Sequence, residues 1–135
     1  MIEQTNEFSL EKHQGPYENW PLKSRLYRDG AATGTKLPGY LIEAQYRMDE
    51  RFLIVTSYDC PFEEANNFIL LSSELKTLSK KFLGLVYSSW LIEKHYPVSD
   101  DEIAFDFYGG DKFILKIRGQ RQHLLGSLLK LSRLS

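Results

Sequence analysis

The sequence predicts a mainly β chain of the α+β class: an antiparallel β-sandwich or barrel of about seven strands with a C-terminal helix. Three observations carry that expectation. Between Tyr40 and Met48 apolar residues occupy every second position, the period of a half-buried strand. Ile103, Phe105 and Phe107 alternate before Gly109-Gly110, and Phe113, Leu115 and Ile117 answer them after it, the pattern of a hairpin around a tight turn. Finally, Leu124, Leu125, Leu128, Leu129 and Leu131 fall on one broad side of a helix over 120–134, with Lys130 and Arg133 near the end where positive charge complements the helix dipole.

Taken in order, residues 1–21 are polar and unpatterned and contain Gly15-Pro16. Such a segment buries too little apolar surface to offset its ordering entropy, which predicts a flexible arm. Tyr17 and Trp20 are expected to pin the end of that arm to the body, a single β-rich domain over 22–135. Lys23 to Arg28 is a short strand, and the small residues from Asp29 to Lys36 mark a loop. That loop is no phosphate cradle, because Gly30 and Gly34 have the wrong spacing and Lys36 runs into Leu37-Pro38.

On the Tyr40–Met48 strand, Tyr40, Ile42, Ala44, Tyr46 and Met48 share one face, and Asp49-Glu50 turns the chain into a second strand over Arg51 to Tyr58. Asn67 to Leu71 is a continuous apolar run, as expected of a strand buried on both faces. Ser72-Ser73-Glu74 reads as a turn leading into a strand from Leu75, and Val86 to Tyr96, ending at Pro97, as another strand.

The chain has 135 residues, 42% hydrophobic, enough for one domain with its own core. Cys60 is the only cysteine, which rules out an internal disulfide and a cysteine-only zinc site and suits a reducing, cytoplasmic compartment. The first residues show no basic and apolar targeting pattern, and no apolar run approaches membrane-spanning length. Net charge is −1, yet residues 1–110 hold 11 Lys/Arg against 17 Asp/Glu, while residues 111–135 hold 6 against 1. A basic tail folding back onto an acidic body accounts for this better than a nucleic-acid footprint, since the overall pI is about 6.3.

The densest polar constellation is Asp59-Cys60-Pro61-Phe62-Glu63-Glu64, between two strands, where binding loops commonly sit. Asp59, Phe62, Glu63 and Glu64, joined by Asp100 and Asp101, are the candidate binding residues. Their spacing is not that of a calcium loop, so no metal and no cofactor is expected. Cys60 reads as a small apolar side chain rather than a nucleophile: no local signature ties it to His13, His95 or His123, and neighbouring carboxylates disfavour the thiolate. Carboxylate pairs such as Glu63 or Glu64 with Asp101 or Asp106 would serve glycoside chemistry only if a groove brought them together. Tyr40, Tyr46, Phe105, Phe107 and Tyr108, near Arg47 and Lys112, offer rings for base stacking, but the RNA-recognition pattern is absent and most must fill the core. The leucine-rich tail is expected to cover that core instead of lying on a membrane.

At Tyr58-Asp59-Cys60-Pro61-Phe62-Glu63-Glu64 and at Phe105-Asp106-Phe107-Tyr108-Gly109-Gly110 the chain resembles short uncharacterised bacterial proteins, some of them encoded beside secreted toxins as immunity factors. The order of strands followed by a helix is also analogous to that of pleckstrin-homology-like domains, an analogy that implies no ligand. The toxin-immunity resemblance brings no catalytic residues. It implies a binding protein that covers a toxin's active site, with an acidic surface that steers a basic partner; with no catalytic signature in the chain, the expectation is a non-catalytic protein-interaction module, and a homodimer is a further partner expectation. The rival expectation is a small-ligand or carbohydrate-processing protein using acidic residues in a groove.

Overall fold

A computed structural model describes residues 1–58, 65–84, 91–119 and 127–134. Twelve strands lie among these residues: β1 (Ile2–Gln4), β2 (Phe8–Leu10), β3 (Lys23–Arg28), β4 (Ala31–Pro38), β5 (Leu41–Met48), β6 (Arg51–Ser57), β7 (Asn66–Leu71), β8 (Thr77–Leu83), β9 (Ile92–Pro97), β10 (Glu102–Phe107), β11 (Lys112–Ile117) and β12 (Leu129–Leu134), with one 3-10 turn at Tyr17–Asn19. They form three antiparallel sheets, ordered β1-β5-β6-β7-β8, β12-β11-β10-β9 and β2-β3-β4, and no sheet closes into a barrel.

The five-stranded sheet is the middle layer. Along β6 and β7 successive side chains point to opposite faces, and both faces are covered. Leu53, Val55, Phe68 and Leu70 pack with Ile103, Phe105, Phe107, Phe113 and Leu115 of the four-stranded sheet. Phe52, Ile54, Ile69 and Leu71 pack with Phe8, Leu26 and Leu37 of the three-stranded sheet. This explains the uninterrupted apolar run of β7: a strand with a core on each side has no solvent face to keep polar. The hairpin of β10 and β11 pairs Phe105 with Phe113 and Ile103 with Leu115, as the alternation predicts. The turn after β7 and the strand after it also match the sequence reading, with Leu75 at φ 65° ending the turn.

The expected seven or so strands of a sandwich or barrel are twelve among the described residues, in three sheets, because the N-terminal, 31–38 and C-terminal segments also pair; four further expectations need correction. The C-terminal helix is not formed over its described part: Leu129–Leu134 is a strand paired along β11, Ile117 opposite Leu129 and Leu115 opposite Leu131, and residues 120–126 lie outside the described residues. Leu129 and Leu131 satisfy a period of two as well as a helical stripe, and the open edge of β11 decides between them. The N-terminal arm supplies β1 and β2. Ile2 and Phe8 are buried, and the Gln45 side chain accepts from Phe8 N and donates to Phe8 O, both at 3.0 Å, so one amide stands in for a neighbouring strand. The loop over 29–36 is instead a two-residue turn and the strand β4. Asp29 and Gly30 have φ of 50° and 81°, the two positive values of a type I′ hairpin that Asp-Gly favours. Lastly, Ile42 does not share the face of Ala44, Tyr46 and Met48. The register shifts between Ile42 and Ala44, and the extra residue turns Ile42 onto the opposite core.

In the basic C-terminal segment, Lys112 lies beside Asp106 at 3.6 Å and Lys116 beside Asp101 at 3.8 Å, both across the β10–β11 hairpin. Of the expected strand over Val86 to Tyr96, residues 86–90 lie outside the described residues and β9 begins at Ile92.

Candidate binding surface

Four of the sequence-derived candidates, Asp59, Phe62, Glu63 and Glu64, lie outside the described residues, as does Cys60. Asp100 and Asp101 lie in the exposed turn between β9 and β10. There Ser99 Oγ lies 3.0 Å from Asp101 Oδ1 and 3.1 Å from Glu102 Oε1, and Asp101 pairs with Lys116. These contacts shape the turn; they converge on no recess.

The segment from Asp59 to Glu64 joins Tyr58 to Ala65, and both of those residues line one apolar recess. Its other walls are Tyr17, Glu18, Trp20, Leu22, Tyr40 and Phe82, around a volume of about 370 Å³. The recess is built from chain segments far apart in sequence. Tyr40 enters from the start of β5, Tyr58 from the end of β6, Phe82 from β8, and Tyr17 with Trp20 from the 3-10 turn.

Tyr40 is the hub. Its ring centroid lies 5.5 Å from Tyr17, 5.1 Å from Trp20, 5.4 Å from His13 and 5.4 Å from Tyr58, each near perpendicular. Edge-to-face packing of this kind sets the positive ring edge against the negative ring face. Two of the ring tips bond to backbone carbonyls: Tyr17 Oη donates to Tyr58 O at 2.7 Å and Trp20 Nε1 donates to Gly15 O at 3.1 Å. Beneath them, Ser24 Oγ donates to Gly39 O at 2.7 Å and accepts from His13 Nε2 at 2.8 Å, which assigns the proton to that nitrogen. Gly39 has φ 106°, and a Cβ there would lie 2.6 Å from Thr56 Oγ1, so the chain enters β5 at a position that only glycine fits. Burial raises the Tyr58 phenol above its ordinary value; the Asn67 hydrogen bond opposes this and Tyr40 adds to it.

A second polar group lies on the outward face of the four-stranded sheet. Asp106 is buried between Lys94 at 3.7 Å and Lys112 at 3.6 Å, and Tyr96 Oη donates to its Oδ2 at 3.3 Å. Asp101 and Asp106, the described members of the carboxylate pairs weighed for glycoside chemistry, are therefore each held by lysine. Among the rings weighed for base stacking, Tyr46, Phe105 and Phe107 are buried in the core. Tyr46 Oη and His95 Nδ1 share a hydrogen bond of 2.5 Å across the two facing sheets. Burial pushes the Tyr46 phenol up to about 12 and pulls the His95 imidazole down.

Among the described residues, no group of three or more His, Cys, Asp or Glu is placed to hold a metal ion, and no helix is long and apolar enough to cross a membrane. The sequence signals Tyr17 and Trp20 as anchors but gives no sign of the recess, because its walls are 65 positions apart at their extremes, from Tyr17 to Phe82. No family model, curated protein or solved structure matches this chain.

Proposed function

We propose that this chain is a non-catalytic protein-binding module and that the aromatic recess is its contact face. The observation that carries the reading is the exposure of large apolar side chains around it: Leu22 is 77% exposed, Phe82 60% and Tyr17 42%. Apolar groups held in water beside packed tyrosines and a tryptophan are what a partner's surface would desolvate with gain, and these residue types dominate interface energetics. Two sheets already cover the middle layer, so the exposed rings are not needed to close either core. The resemblance to toxin-immunity proteins makes a secreted toxin the partner class of first choice, held by occlusion rather than by chemistry.

The test is site-specific photo-crosslinking in the native host, with a photoreactive residue at Leu22, at Phe82, or at Tyr108 on the β10–β11 turn. The same partner is expected at the first two positions and not at the third, with Leu22→Glu elsewhere in the interface abolishing the product at Phe82. A product of equal yield at Tyr108, or none at Leu22 and Phe82, refutes the assignment.

A further inference from the structure

The recess also has a sign. Resting on the contact face just described, we infer that it receives a cationic side chain, an arginine or lysine, from the partner protein. Glu18 is the one charged residue in its described lining, which holds no lysine or arginine. Two polar tips around it are taken up by backbone carbonyls: the Trp20 indole nitrogen donates to Gly15 O and the Tyr17 hydroxyl to Tyr58 O. What Tyr17 and Trp20 offer a guest is therefore ring surface, whose negative face attracts a cation and repels an anion.

The ring arrangement adds a geometric argument. Trp20 and Tyr58 stand at 90° and 83° to Tyr40, so the walls present rings in more than one plane. At the mouth, the exposed Leu22 and Phe82 suit the methylene stem of an arginine or lysine, which buries its carbons while its head seeks charge. A volume of about 370 Å³ is at the small end of ligand pockets and fits one side chain with its flanking backbone.

The probes are the capped tripeptides acetyl-Gly-Arg-Gly-amide, the same peptide with citrulline, and the same with leucine, titrated into the full chain. The readout is the indole N–H resonance of Trp20, identified as the one lost in Trp20→Phe. The arginine peptide is expected to shift it saturably, and the uncharged isostere citrulline to bind about five-fold more weakly. Glu18→Gln should weaken the arginine peptide about three-fold at low salt and leave the leucine peptide unchanged. Leucine binding as tightly as arginine, or no effect of Glu18→Gln, overturns the cationic guest while leaving the contact face intact if crosslinking at Leu22 and Phe82 succeeds. Absence of any shift with the arginine peptide likewise overturns it. Arginine binding with the expected ranking supports the inference even where crosslinking fails, in which case the contact-face reading alone is lost.

Discussion

A pair of isoleucines tests whether the middle sheet separates two independent cores. Ile69 on β7 is 1% exposed and packs toward β2–β4; Ile103 on β10 is fully buried and packs against the opposite face. Ile→Val removes one buried methyl-sized group, worth about 0.8 kcal/mol in transfer, and a small residual void brings each substitution to about 1 kcal/mol. No core side chain is shared between the two sites, so Ile69→Val with Ile103→Val should cost about 2 kcal/mol, the sum of the singles to within about 0.5 kcal/mol. The control is Phe68→Leu with Phe105→Leu, whose rings meet edge to face at 5.1 Å across one interface and should show coupling of about 0.5 to 1.5 kcal/mol. Equilibrium urea unfolding measures all of these, provided the denaturant slope is unchanged. Coupling above about 1 kcal/mol between the isoleucines, or none between the phenylalanines, would refute the three-layer arrangement.

Other outcomes follow from single positions. Burial lowers the His95 pKa in the folded chain, so as pH falls below about 6.5 the unfolded state takes up a proton before the folded state does and stability drops; urea midpoints from pH 7.5 to 5.5 should decline in the parent and less steeply in His95→Gln, and equal slopes would contradict this. Tyr46→Phe should cost about 1 kcal/mol in the same assay by removing the hydrogen bond to His95. Gly39→Ala meets Thr56 Oγ1 at 2.6 Å as well as a positive φ, whereas Gly30→Ala meets a positive φ and nothing within 4 Å; thermal unfolding should show the first to be more damaging by at least about 1 kcal/mol. Asp106→Asn removes two long ion pairs to exposed lysines and should cost under about 1 kcal/mol, less still in 1 M salt; a loss of several kcal/mol would show those pairs to be far stronger than their exposure allows.

The sequence by itself determined the elements whose partners are close along the chain. The β5–β6 and β10–β11 hairpins were legible because period-two faces flank Asp49-Glu50 and Gly109-Gly110, and β7 because a run from Phe68 to Leu71 without a polar break demands cover on both sides. The β3–β4 hairpin was legible in principle, since Asp29-Gly30 prefers a type I′ turn, but the small residues after it look like loop until β3 pairs with them. Tertiary structure decided what local pattern leaves open. Three residues at Ile2–Gln4 or Phe8–Leu10 are too short to show a period, and an exposed sheet edge or the Gln45 amide recruits them. Leu129–Leu134 satisfies two periods at once, and the hydrogen-bonding edge of β11 selects the extended one. The recess around Tyr40 exists only when a turn near residue 17 and three strand ends are brought together, and no spacing in the sequence records a contact between side chains that distant.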